Sequence, residues 1–314
     1  MGNVLMGLLQ MILLLALAPL INGVIKKTKA YFQNRQGPGI CQGYYDLLKL
    51  FSKDRVISEH SSWIFRVTPI IVFGSVTLTC LLVPTISLVT PLESAADLLV
   101  LVYLLGLARF FTTLAGLDAG SSFGGMGSSR EITFAATIEP AMLLALFTVA
   151  LAAGNTNIFG MVRNMLEPGT FTTAHILAFL ALYTVAVADT GRVPVDNPDT
   201  HLELTMIHEG MILEYSGKEL ALINWASQVK QLLMITFLVN LFFPMGIATH
   251  LGLQGIMIGL SVYVLKILLV AITLGIVETT FAKMRLFKVP KLLAASFMLS
   301  LFALVTLYVV GGKL

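Results

Sequence analysis

The chain has 314 residues, of which 57% are hydrophobic and only 12% formally charged, and its net charge is +3. That charged share is about half of what soluble domains carry, and with a mean hydropathy of +0.88 a water-soluble globule has too little interior to hide the apolar surface, so a soluble enzyme is excluded. The apolar residues form long unbroken runs, which excludes a β-barrel built from short alternating strands, and no extended basic face or zinc motif points to nucleic acid as a partner.

Residues 1–25, 67–92, 168–188 and 292–312 contain no Asp, Glu, Lys or Arg, and about 20 such residues span the hydrocarbon core as a helix. With charge clusters and Gly/Pro breaks as punctuation, residues 1–314 read as one all-α, polytopic membrane domain of eight spans. These lie near residues 4–25, 66–89, 96–117, 132–156, 171–190, 220–243, 252–277 and 292–311. The first run lacks the positive start of a cleaved leader and is stopped by Lys26, Lys27 and Lys29, so it reads as a retained helix.

The loop 26–65 contains an amphipathic element at residues 40–53, with Ile40, Tyr44, Leu47, Leu48 and Phe51 on one face and Asp46, Lys49 and Lys53 on the other. That pattern predicts a helix lying along the membrane surface, either as a plain connector or as a platform for a soluble subunit. The Gly/Ser-rich run 116–129 is either a flexible linker or a place where the backbone approaches a neighbouring subunit closely. The sixth and seventh spans share an uncharged stretch from Gln231 to Leu265, divided at Pro244-Met245-Gly246. Fifteen of the 20 basic residues fall in loops on one side, so the positive-inside rule places both termini outside and the large loops in the cytoplasm of a cell-membrane protein. Cys41 and Cys80 are the only cysteines, one in a polar loop and one in an apolar run, so no disulfide framework or metal cluster follows.

Ionisable residues inside spans call for partners or a task. Glu139 lies about two turns into the fourth span and is read either as functional or as a structural ion pair with Arg130 or Lys230. Arg109, Asp97 and Asp118 read as helix-end or packing charges, and Lys266 as snorkelling or paired. Asp189 closes the fifth span and Glu278 the seventh. Between them the loop 189–219 holds Asp189, Asp196, Asp199, Glu203, Glu209, Glu214 and Glu219 against Arg192 and Lys218, with His201 and His208 interspersed. From the cap signal at Asp199-Thr200 a short helix is expected, bringing Glu203, His208 and Glu209 within a turn or two of one another. Either this is a solvated acidic loop, or Ile207, Met211, Ile212 and Leu213 tuck it back to the membrane and partly desolvate its carboxylates, as a proton relay requires.

At these residues the sequence resembles the eight-helix membrane subunit shared by respiratory complex I (its subunit 1) and the membrane-bound group 4 nickel-iron hydrogenases. The resemblance rests on Asn34-Arg35-Gln36-Gly37-Pro38-Gly39 followed by Asp46-Leu47-Leu48-Lys49-Leu50-Phe51, on Arg130 with Glu139, and on Pro194, Asp196, Glu203 and Glu214-Tyr215-Ser216-Gly217. The stretch Val195 to Glu209 is similar to hydrogenases more than to quinone-reducing enzymes, and Glu278 stands where complex I tends to have arginine.

The resemblance implies a subunit without a redox centre, the iron-sulfur clusters and Ni-Fe centre residing in partners. These partners would be a hydrogenase large subunit, an iron-sulfur small subunit, a ferredoxin-like subunit and antiporter-like membrane subunits, all held at the lipid bilayer. It implies a proton pathway through Glu139, Asp196, Glu203, Glu209 and Glu214, with Arg130, Lys230, Asp189, His201, His208 and Glu278 as supporting charges. Arg35, Asp46, Lys49 and Tyr215 would dock the peripheral arm. Ferredoxin or formate would supply electrons for hydrogen evolution, with protons or sodium moved. The alternatives are the quinone-site subunit of a complex I-like dehydrogenase and an independent ion antiporter, the latter disfavoured because the chain shows no inverted repeat.

Overall fold

The computed structural model describes residues 2–59, 61–167, 170–196, 206–250 and 252–311. Within them the regular structure is helical, with two isolated bridges and no strand. In chain order the α-helices are α1 Gly2–Phe32, α2 Gln42–Phe51, α3 Trp63–Leu82, α4 Leu98–Asp118, α5 Ser122–Ala153, α6 Ile158–Met165, α7 Thr173–Asp189, α8 His208–Ile212, α9 Gly217–Phe242, α10 Leu253–Thr280 and α11 Val289–Gly311.

Local chemistry sets the ends. Ser62, Asp97 and Asn157 sit extended and accept hydrogen bonds from the N–H groups of Ile64, Leu99 and Phe159, and Ser121 accepts from Gly124, satisfying donors that the first helical turn leaves open. α5 ends on Gly154 at φ +63°, the left-handed position that glycine adopts without a Cβ clash. The break at Pro244–Gly246 falls between α9 and α10. From Gln231 to Phe242 every residue of α9 is buried, so a helix apolar all round sits in the middle of the bundle. α1 packs on α9 and α10, α3 along α4, and α11 between α5 and α7.

Seven helices, α1, α3, α4, α5, α9, α10 and α11, are long and apolar enough to cross a bilayer. α7, expected as a span over 171–190, has 17 residues, about 25 Å of helix, and falls short of that length. The reason lies at its end. Asp189 closes α7 inside the protein, and residues 191–196 continue as buried, non-helical chain. The start of the acidic loop, for which solvated and membrane-tucked readings were both open, is therefore interior: Asp189, Arg192 and Asp196 are all buried. Non-helical backbone is tolerated at such depth only where protein surrounds it.

Of the amphipathic element at residues 40–53, Leu47 is buried, Tyr44 and Phe51 are half-buried, and Ile40 and Leu48 are exposed. The element lies on the side of α1, where the Tyr44 hydroxyl donates to the Ala16 carbonyl and Phe51 meets Trp225 of α9 edge-on. The Gly/Ser run is no linker, since from Ser122 onward it is the first turns of α5. The close approach is real, but its partner is this chain's own α8. A Cβ on Gly127 would stand 2.8 Å from the Ile207 carbonyl oxygen, and one on Gly116 2.5 Å from Ser128 Oγ. Gly127→Leu should lift α8 from its seat and destabilise the fold by about 1–3 kcal/mol. A lowered thermal midpoint of the detergent-solubilised protein is expected, and an unchanged midpoint would contradict the seating.

Candidate functional site

Arg109, halfway along α4, is the hub of the interior and not the packing charge that the sequence suggested. Its Nε lies 3.1 Å from Oε1 of Glu131, its Nη1 lies 2.5 Å from Oε1 of Glu139, and its Nη2 bonds Oδ1 of Asp189. Lys230 of α9 holds the other oxygen of Asp189 at 2.9 Å and donates to the Asp189 carbonyl at 3.2 Å. From α8, His208 Nε2 stands 3.3 Å from Oε2 of Glu131. Five helices thus converge on one cluster of three carboxylates and two permanent cations.

Glu139 pairs with neither of the partners expected for it. Arg130 stands nine residues earlier in the same helix, about two and a half turns, which puts the two side chains on opposite faces. The Arg130 guanidinium instead bonds the Met206 carbonyl at 2.7 Å and holds the chain entering α8. Lys230 is taken up by Asp189.

A second cluster lies beside the first. Arg192 reaches Glu278 at 3.1 Å, Asn22 at 2.6 Å and Gln231 at 2.7 Å, and Lys29 of α1 stands 3.5 Å from the same Glu278. Lys283 bonds Asp196 at 2.8 Å. A cavity of about 200 Å³ separates the clusters, with Arg109, Glu131, Asp189, Arg192, His208 and Lys230 in its wall and α8 across one side.

The remaining predicted residues divide. Glu209 lines the cavity, while Glu214 is exposed. His201 and Glu203 lie outside the described residues. Arg35, Asp46 and Lys49 are exposed. Tyr215 is not: it is buried, its ring stacks on Phe65 with centroids 3.9 Å apart, and its hydroxyl donates to the Phe65 carbonyl at 2.8 Å. Burial pushes that phenol well above its usual range, and the side chain pins the segment before α9 to α3. Nothing in the sequence pattern singles out Asn22 and Gln231 as partners of Arg192. For Arg109 the signal was present, since an arginine at mid-span is itself a flag. Lys266 is held by Asn240 Oδ1 at 3.1 Å and the Phe243 carbonyl at 2.9 Å, a cation on the C-terminal end of α9. Among the described residues no group of His, Cys, Asp and Glu is arranged to hold a metal ion.

Fold and site together define a multi-pass helical membrane protein with a connected set of buried charges in its interior. Residues 4–309 match the family model described as NADH dehydrogenase, and the chain belongs to that family. It is homologous to hydrogenase-4 component C of Escherichia coli (strain K12), with 39% identity over 90% of this chain and 89% of the relative. Formate hydrogenlyase subunit 4 of the same organism is 32% identical over 97% of this chain and 99% of its own length. A membrane-complex relative from Salinibacter ruber, a subunit of its NADH-quinone oxidoreductase, is more distant, at 28% identity over 69% of this chain and 66% of the relative. The fold is shared with a chain of the membrane-bound sulfane sulfur reductase, an archaeal respiratory membrane complex, at a TM-score of 0.84 and 21% identity over 98% of this chain and 99% of that one.

Proposed function

We propose that this chain is the membrane-anchor and ion-coupling subunit of an energy-converting group 4 nickel-iron hydrogenase. It sits in the cytoplasmic membrane with both termini outside, and α7 together with the buried stretch after it makes the eighth crossing. The observation behind this reading is the largely buried cluster centred on Arg109, reached from α8 through His208 and running to the half-exposed Glu139 near the middle of α5. The two hydrogenase relatives, matched over most of their length, support the assignment to that class of complex.

Three carboxylates against two permanent cations leave one negative charge, and His208 stands beside Glu131. One guanidinium serves Glu131, Glu139 and Asp189, so a change at any one of them alters its hold on the other two. In low dielectric a nearby change of charge acts strongly on such a cluster. An electron arriving in an iron-sulfur module docked over α8 supplies such a change, and Glu139 passes the response into the membrane; Arg35, Asp46 and Lys49 are exposed residues that such an arm would meet. Glu209 and Asp196 border the same path, and Glu203 belongs to the stretch preceding α8.

The chain purified with its native partners should contain nickel and evolve hydrogen from reduced ferredoxin or formate. A particle that contains flavin, oxidises NADH and is inhibited by quinone analogues would overturn this reading in favour of a quinone-site subunit.

A further inference from the structure

Between α10 and α11, residues 281–291 carry four cations, Lys283, Arg285, Lys288 and Lys291, with no acid among them. The side chains of this segment sort by direction. Met284 and Leu286 pack on the hydrophobic core, and Val289 is fully buried within it. The Met284 N–H donates to the Pro194 carbonyl at 2.9 Å, and Lys283 is taken up by Asp196. Facing outward are Phe281, Arg285, Phe287, Lys288 and Lys291, all exposed. Among the described residues no carboxylate pairs with these three outward cations. Phe287, at 89%, is the most exposed large apolar side chain of the described residues.

The segment lies at the end of the short helix α7. Ser296 of α11 donates to the Ala181 carbonyl at 3.0 Å, and the Tyr183 hydroxyl donates to Thr273 of α10 at 3.4 Å, so α7 is flanked by α11 and α10. Ile176 and Leu180, one turn apart on α7, are exposed. With 17 residues the helix spans about 25 Å of a hydrocarbon core about 30 Å thick. Residues 281–291 pack on the chain just beyond it, at Pro194 and Asp196, and so occupy the level where hydrocarbon gives way to headgroups. Exposed apolar rings among cations suit that boundary, and clustered Lys and Arg there attract anionic lipid. Orientation alone asks for less, since the basic loop 26–65 mixes its cations with Asp46, Asp54 and Glu59. We infer that residues 281–291 hold the headgroup of an anionic phospholipid, with its phosphate on Arg285, Lys288 and Lys291 and its acyl chains along the exposed face of α7. Through Met284 and Lys283 the bound lipid braces the buried stretch 191–196. The inference needs a bilayer around the chain and no particular redox module.

The test places a photo-reactive phenylalanine analogue at Phe287 and, as a reference for bulk lipid, at Leu269, exposed on α10, in the intact complex in its native membrane. Phosphatidylglycerol and cardiolipin should form a several-fold larger share of the lipid adducts at Phe287 than at Leu269. Arg285→Gln, Lys288→Gln and Lys291→Gln together should bring the two shares level. In detergent, the lipid-stripped wild-type complex should melt higher after addition of phosphatidylglycerol than of phosphatidylcholine, and the triple variant should respond alike to both. Equal anionic shares at Phe287 and Leu269, or adducts from Phe287 to a protein subunit, would overturn the inference, and both are read without the triple variant should it fail to assemble. Failure of the hydrogenase reading would instead appear as missing nickel, with the lipid adducts unchanged.

Discussion

Arg109→Leu is expected to be the most damaging single substitution in the chain. Among the described residues it leaves Glu131 and Asp189, both buried, with His208 and Lys230 as their partners, and it removes the cation that Glu139 pairs with. Removing one member of a buried ion-pair set costs on the order of 3–5 kcal/mol, because the charges left behind stay out of water. Such a loss is a large fraction of the stability of an ordinary domain. The variant should therefore accumulate poorly in membranes, and the surviving protein should melt earlier in detergent. Arg109→Lys should recover only part of this. A lysine keeps the charge, but its single ammonium cannot address three carboxylates as the planar guanidinium fork does. Wild-type levels and melting for Arg109→Leu would show that the cluster is not the centre of the fold.

The second large effect belongs to the neighbouring cluster. Glu278→Leu removes the carboxylate that Arg192 and Lys29 share, and again about 3–5 kcal/mol is expected. The double variant Arg192→Leu with Glu278→Leu should be less damaged than the sum of its singles, since replacing both partners of a buried pair by apolar groups is often close to neutral. Asn22 and Gln231 would lose their contact with Arg192, so recovery should be incomplete. Thermal midpoints of the two single variants and the double variant measure this coupling directly. Strict additivity would mean that Arg192 and Glu278 do not stabilise each other.

The long helices were legible from sequence because hydrocarbon demands uninterrupted apolar runs, and the break at Pro244–Gly246 was legible because proline and glycine end such runs. The short α7 was not. Its apolar run meets the polar sequence at Asp189 and looks like a membrane boundary, yet the polar residues that follow are paired with Lys230, Glu278 and Lys283 inside the bundle. A charge taken inward with its partner has the same sequence pattern as a charge at the water interface. Glu139 and Asp189 could be flagged individually, but their common partner could not, because Arg109 is 30 and 80 residues away from them along the chain and the packing of α5 against both α4 and α7 brings them together. The spacing of Arg130 and Glu139, by contrast, already contained the helical geometry that forbids their pairing. The Gly-rich run shows the same limit: composition tells that backbones can approach there, and only the fold shows that α8 is what approaches.

In the proposed function the Arg109 cluster transmits ion movement without taking part in the redox chemistry. Glu139→Gln in the whole complex, reconstituted in sealed liposomes, tests this most directly by measuring ions translocated per hydrogen evolved. The account predicts that hydrogen evolution stays within about twofold of wild type while translocation falls by tenfold or more, a difference of at least about 1.4 kcal/mol in the coupled step. Translocation that continues at the wild-type ratio would contradict it.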